Sequence, residues 1–107
     1  MPDAPTADIV GADGAVLTLR TVLTPKTRAQ YAGVLAGNTL SQEDAWHRAV
    51  EFLFERLVVR WTVADVPTEG QRELLLRLRA ATQAERLFVR ESLRSHCAEW
   101  FPDVKAP

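Results

Sequence analysis

Apolar and polar residues alternate near the start of the chain in a pattern that predicts a β-hairpin. The apolar pair Ile9-Val10 precedes Asp13-Gly14, and a second run, rich in apolar and β-branched residues, follows over residues 16–22. Asp-Gly is a favoured turn pair because both positions tolerate positive φ. We therefore predict a hairpin over residues 8–22, with one apolar face that a helix has to cover, since an isolated hairpin is marginal in water.

Helical spacing of apolar residues begins at Thr24-Pro25. This pair is typical of a helix start, because a Thr side chain accepts a hydrogen bond from an unpaired N–H and proline is tolerated at the first helical position. Gly37-Asn38 tolerates the left-handed backbone that ends a helix, so the first helix is predicted between these two pairs.

The strongest amphipathic pattern follows Ser41, which is the predicted cap of a second helix. Apolar residues recur here at helical steps and predict one buried face. The end of the pattern is ambiguous, because residues 57–63 are β-branched enough to form either the final turn of this helix or a strand. The predicted buried positions are Trp46, Val50, Leu53, Phe54, Leu57 and Trp61.

A third helix is predicted after Pro67. Thr68, with Gln71 three residues later, resembles a capping pair in which each side chain reaches the other residue's backbone N–H. The apolar face of this helix is expected to consist of Leu74, Leu75 and Leu78.

A fourth helix is predicted from a second capping pair, Thr82 with Glu85. Because this pair stands where one continuous helix would otherwise be expected, it predicts a break near Ala81. Pro102 cannot continue a helix and marks the end. We expect the helix to bury some of its apolar residues, drawn from Leu87, Phe88, Val89, Leu93, Cys97 and Trp100.

Together these elements predict one small α+β domain that is mainly α, with an N-terminal β-hairpin followed by about four helices. A chain of 107 residues is long enough for one hydrophobic core and too short for two. Residues 1–7 lack periodicity and are predicted to form a flexible arm. Residues 8–107 form the predicted domain, divided into the hairpin at 8–22 and a helical body at 24–101.

Composition places the chain among compact globular proteins of the cytoplasm. The hydrophobic share is 47%, the charged share is 25% and the formal net charge is −1, values that favour neither disorder nor phosphate binding. No apolar run is long enough for a membrane span, and Asp3 and Asp8 stand where a secretory signal carries basic residues. A lone cysteine, Cys97, excludes an internal disulfide and fits a reducing compartment.

Residues that could carry catalysis or bind a metal are few and scattered. His47 has Glu51 one turn away, a pair that arises routinely on solvated helix faces. His96 directly precedes Cys97, and adjacent helical residues diverge by about 100°, so this imidazole is poorly placed to activate the thiol. No glycine-rich phosphate loop occurs. We therefore expect no catalytic site, no cofactor and no metal.

The fourth predicted helix carries the features that favour protein binding. Arg86, Arg90 and Arg94 recur at i,i+4 spacing and could face phosphates, but acidic residues in the same segment favour a solvated face or the rim of a protein interface. Aromatic residues next to the chain end are harder to bury and are candidate anchors. The predicted protein-binding residues are Leu75, Leu78, Leu87, Val89, Trp100 and Phe101, with Arg86, Arg90 and Arg94.

The layout of the chain matches that of a known family in five places. A β-segment precedes an "LTP" helix start, a Trp-centred segment runs into an acid, and a proline bounds a Leu-rich helix. The stretches are Val16–Arg20, Leu23–Pro25, Val59–Asp65, Pro67–Glu69 and Leu74–Leu78. This order resembles the short tail assembly chaperones of long-tailed bacteriophages and prophage-like elements.

The resemblance implies a non-catalytic viral chaperone in the host cytoplasm. Such a protein binds the long helical tape-measure protein, tail-tube subunits or both, and keeps its client soluble during tail assembly, which requires an apolar groove with a charged rim. Two alternatives stay open: a structural homo-oligomeric component of a tail, connector or other virion part, and a helical domain that binds nucleic acid through the arginine stripe. We expect a protein partner, with homo-oligomerisation possible, and neither nucleic acid nor a membrane as partner.

Overall fold

Four helices and one four-stranded antiparallel sheet make up the part of the chain described by the computed structural model, residues 5–36 and 42–107. The sheet order is β1-β2-β3-β4. The predicted α+β class with a mainly helical chain is therefore confirmed. The strands are β1 Thr6–Val10, β2 Val16–Arg20, β3 Val58–Val63 and β4 Val66–Glu69, and the helices are α1 Pro25–Ala36, α2 Gln42–Leu57, α3 Gln71–Arg79 and α4 Gln83–Trp100.

The N-terminal hairpin is present, but it does not stand apart from the rest of the fold. Strands β1 and β2 pair from Thr6 opposite Arg20 to Val10 opposite Val16, and the turn places Gly14 at φ 86°. The predicted limit of the flexible arm, residue 7, was wrong, because β1 already begins at Thr6. There the Pro5 carbonyl accepts the backbone N–H of residue 21 at 2.9 Å, which extends the strand pairing. The remainder of the arm, residues 1–4, lies outside the described residues.

A second hairpin completes the sheet, whereas the sequence predicted only the N-terminal one. Leu57 ends α2, and residues 58–63, which the sequence left open between helix and strand, form β3 between β2 and β4. Ala64 and Asp65 make the connecting turn with φ of 50° and 63°. Positive φ at both central positions is typical of the tight turns that match the strand twist. Pro67 is tolerated because β4 is an edge strand.

The predicted cap of the third helix was wrong. Thr68 lies in β4 opposite Trp61, so strand pairing uses the residue that resembled a cap. Helix α3 begins at Gln71 instead, after Gly70 at φ 90°, and no side chain caps it. Positive φ at this junction suits glycine, because a Cβ would be strained in that conformation.

The other two helix starts that can be compared are confirmed. Thr24 Oγ1 accepts the backbone N–H of Thr27 at 3.2 Å at the start of α1. At the start of α4, Thr82 Oγ1 accepts the Glu85 N–H at 3.1 Å and a Glu85 carboxylate oxygen accepts the Thr82 N–H at 2.8 Å. The predicted break is also present, since α3 ends before Ala81. The predicted stop at Gly37-Asn38 and the predicted cap Ser41 lie outside the described residues.

The hydrophobic core lies between the sheet and the helices α2 and α4. Trp61, only 1% exposed, packs edge-on against Phe54 with ring centroids 6.0 Å apart. Its position in β3 means that α2 contributes a shorter buried stripe than the sequence predicted, and Trp46 and Val50 are only partly buried at the edge of the core. The fully buried positions of the core include Leu17, Leu19, Ala49, Leu53, Leu57, Val89 and Leu93.

A polar network fixes α3 against α4 where the two helices meet. Both Arg77 terminal nitrogens donate to the Glu85 carboxylate, which also caps α4. The same guanidinium lies over the Trp61 ring, 4.8 Å from the centroid. The bonds from Arg77, and then the backbone N–H of Thr82, hold the pKa of Glu85 below its ordinary value.

Glu85→Gln is expected to lower the free energy of unfolding by about 1–2 kcal/mol near neutral pH, because glutamine retains the cap but loses the charged pair. A depressed pKa stabilises the fold fully above the pKa of the unfolded chain, about 4.5, and this stabilisation disappears as the pH falls through the folded-state value. Urea unfolding at several pH values should therefore show the difference between the variant and the parent shrinking in acid. Exposed Glu91, replaced by Gln, is the control. A difference that stayed constant in acid would contradict the ionic origin of the effect.

Candidate binding groove

A groove of about 1020 Å³ runs between α2 and the start of α4, and we call it the α2–α4 groove. We call the apolar residues that line it the floor, and the polar residues on either side the walls. The floor consists of Trp46, Val50, Leu78, Ala81 and Leu87, and the walls consist of Glu43, His47 and Glu51 from α2 and of Arg79, Gln83, Arg86 and Arg90 from the end of α3 and from α4.

The floor exposes apolar surface that the core does not use. Leu87 is 55% exposed, although leucine buries readily when a neighbour is available. Trp46 and Val50 pack against the core on one side and face the groove on the other. An exposed apolar patch rimmed by polar residues is typical of an interaction site.

The two walls carry opposite charge. Glu43 and Glu51 stand on the α2 wall, whereas three arginines stand on the opposite wall. Glu51 of α2 and Arg79 of α3 form an ion pair at 3.4 Å, so the two walls are joined at this point. Exposed His47 has its Nε2 4.0 Å from the Glu43 carboxylate. The groove is therefore acidic along one side and basic along the other, with the apolar floor between them.

The structure divides the binding residues that the sequence predicted. Leu78, Leu87, Arg86 and Arg90 line the groove, while Leu75 is half-buried outside it. The remaining predicted residues lie elsewhere: Val89 and Phe101 are in the core, Trp100 is 44% exposed at the far end of α4, and Arg94 donates from Nε to the Pro107 carbonyl at 3.0 Å.

Sequence reasoning missed most of the α2 side of the groove. Trp46 and Val50 were predicted to be core residues, and Glu51 was assigned to a solvated face. The available signal was the position of Trp46 and Val50 in α2. They begin its apolar stripe, and the first turns of a helix can extend beyond the edge of the core. Periodicity identifies the apolar face of a helix but not how much of that face a neighbour covers.

Two residues with reactive side chains, His96 and Cys97, are buried. His96 is 1% exposed, and its Nε2 lies 2.7 Å from the Arg20 carbonyl, so this nitrogen acts as the donor. Burial raises the pKa of the Cys97 thiol to about 11, which keeps it protonated near neutral pH. Within residues 5–36 and 42–107, no three His, Cys, Asp or Glu side chains are grouped so that they could hold a metal ion.

Two further observations bear on function. None of the helices in the described ranges combines the length and apolar character needed to cross a membrane. Comparison with known proteins finds no family, no characterised protein and no solved structure that matches the chain.

Proposed function

We propose that the chain is a non-catalytic protein-binding module whose α2–α4 groove holds an amphipathic helix of another protein. The observation that carries this proposal is an exposed apolar floor between walls of opposite charge, with Leu87 at 55% exposure. A helix docks in such a groove by placing apolar side chains at i, i+3, i+4 and i+7 on the floor while its polar flanks meet the walls.

The dimensions of the groove suit a short helical segment. Helix α4 has 18 residues and is therefore about 27 Å long, of which the groove uses the first half. Two or three turns of a partner helix match that length. Each fully buried leucine contributes about 1.5–3 kcal/mol, and the loss of freedom on binding offsets part of the total. We expect dissociation constants of about 1–100 µM.

Reversible holding of a helix is also what a tail assembly chaperone requires. In that role the client is the apolar helical tape-measure protein, the tail-tube subunits or both, and the chaperone has to release it as the tail assembles. A half-open groove with a charged rim supports this version of the proposal, because it contacts apolar side chains without enclosing them. The layout of the sequence is the second support.

The groove can be tested with a labelled peptide of about 20 residues that carries one leucine stripe, a row of glutamates on one flank and a row of lysines on the other. Fluorescence anisotropy should give saturable binding at about 0.15 M salt. Leu87→Asp should weaken binding by more than about tenfold, because a charge on the floor loses its water when the helix docks.

Leu76 supplies a matched control, since it is 54% exposed on α3 and does not line the groove. Leu76→Asp should leave binding unchanged. Equal loss in the two variants, or no loss in either, would overturn the proposal. Light scattering on the unbound protein tests the structural alternative, because a stable oligomer that Leu87→Asp dissociates would show that the floor is occupied by a second copy.

A further inference from the structure

Arg90 differs from the other arginines of the groove because no hydrogen bond or ion pair joins its side chain to another residue within 5–36 and 42–107. Arg79 pairs with Glu51 at 3.4 Å, and Arg86 donates from Nη2 to the Arg79 carbonyl at 2.8 Å. The Nε of Arg90 is shielded from solvent and no atom of the described chain accepts a hydrogen bond from it. Its side chain is half-buried and lines the basic wall of the groove.

Arg90 is therefore the wall arginine whose guanidinium the described chain does not engage. Its Nε is sealed from solvent, so a ligand in the groove has to be bound by the two terminal nitrogens. Guanidinium groups match carboxylates in particular, because the planar fork donates two parallel hydrogen bonds to the two oxygens. The carboxylates nearest in sequence do not serve: Glu85 is held by Arg77, and Glu91 faces solvent.

We infer that Arg90 is a carboxylate-anchoring position of the groove, assisted by Arg86 one helical turn earlier, and that the bound helix carries Asp or Glu beside its apolar stripe on the α4 side. This inference rests on the proposed function and specifies the partner. On the opposite wall Glu43 favours a basic residue on the other flank. Because an amphipathic helix that turns end for end exchanges its flanks, this pairing also sets the direction in which the helix lies.

The inference is tested with two peptides that share the leucine stripe, one with glutamates on the flank and one with glutamines in their place. On the parent protein the glutamine peptide should bind about tenfold more weakly, since it loses the charge-assisted pair. Arg90→Met should weaken binding of the glutamate peptide to the same extent. On that variant the two peptides should bind equally, because the effects of two groups that act through one contact do not add.

Two further variants keep the result interpretable. Arg94→Met alters an arginine of the same helix that bonds to Pro107 outside the groove, and it should retain the tenfold preference. Arg90→Lys keeps the charge but loses the fork, and it should retain only part of the preference. Circular dichroism melting checks that Arg90→Met folds, as expected for removal of an unpaired donor.

The possible failures are separable. If both peptides bind the parent protein equally and Leu87→Asp weakens both, the carboxylate anchor is refuted while the groove remains the binding site. If the preference for glutamate persists in Arg90→Met, the anchor is also refuted, since a group other than Arg90 then binds the carboxylates of the peptide. If neither peptide shows binding that Leu87→Asp weakens, the proposed function fails and this inference fails with it.

Discussion

Phe101→Ala is expected to lower the free energy of unfolding by about 3–5 kcal/mol, whereas Trp100→Ala next to it should lower it by less than about 1 kcal/mol. Phe101 is 1% exposed and its ring meets the His96 ring edge-on at 5.7 Å, while Trp100 is 44% exposed. Arg28 also lies over the Phe101 ring, 5.4 Å from the centroid. Urea unfolding followed by circular dichroism measures both values.

Phe101 also anchors the segment that follows α4, which crosses back to α1. Arg28 pairs with Asp103, the Tyr31 hydroxyl donates to the Lys105 carbonyl, and Pro107 is buried. Removal of the Phe101 ring therefore leaves a cavity and weakens the attachment of this segment. The sequence predicted both aromatic residues as candidate anchors for a partner. Equal losses of stability in the two variants would contradict the burial of Phe101 and the exposure of Trp100.

Trp61→Ala should lower the free energy of unfolding by about 3–5 kcal/mol, because the indole is buried and contacts residues of the sheet, α2 and α3. In β3 it lies opposite Leu17 of β2, it packs against Phe54 of α2, and the Arg77 guanidinium covers its ring. The variant should therefore unfold at a much lower urea concentration, since small domains have only about 5–15 kcal/mol of stability.

Trp46→Ala is the matched control for Trp61→Ala. Trp46 is half-buried on the floor of the groove, so its loss should cost about 1 kcal/mol of stability and should weaken peptide binding. Trp61→Ala, measured under conditions where it is folded, should bind the peptide normally. A reversal of these two outcomes would contradict the division between core and groove.

The parts of the fold that could be predicted from the sequence are those that depend on neighbours within a few residues. The capping box of Thr82 with Glu85 and the cap at Thr24 involve contacts three residues apart, and the Asp13-Gly14 turn closes on itself. All the residues that make up each of these signals lie within a few positions of one another. They therefore predicted two helix starts, the break between α3 and α4, and the first hairpin.

The second hairpin could not be predicted in the same way, because long-range pairing decides it. Ala64-Asp65 is a poor match to the glycine-containing pairs that favour a tight turn, yet β3 is held on both sides by other strands. Thr68 has the spacing of a helix cap, but its place opposite Trp61 in the ladder prevails. Tertiary pairing overrides local propensity in both cases.

The groove was predictable only in part for a related reason. The leucine and arginine positions of α4 follow from its periodicity, so Leu87, Arg86 and Arg90 were among the predicted residues. The opposite wall depends on how α2 and α4 are placed in the fold, which periodicity does not give. Arg94 leaves the predicted stripe because it bonds to Pro107, a residue brought to it by the segment after α4.

The α2–α4 groove as a helix-binding site is tested most directly by titrating the leucine-striped peptide into ¹⁵N-labelled protein and following the amide and indole signals by NMR. We predict that the largest shifts appear at Trp46, Val50 and Leu87, with the Trp46 indole N–H among them, and that the edge strands β1 and β4 stay unchanged. Shifts confined to the sheet edges or to residues 101–107, or no shifts at peptide concentrations up to about 1 mM, would contradict a helix-binding role for this groove.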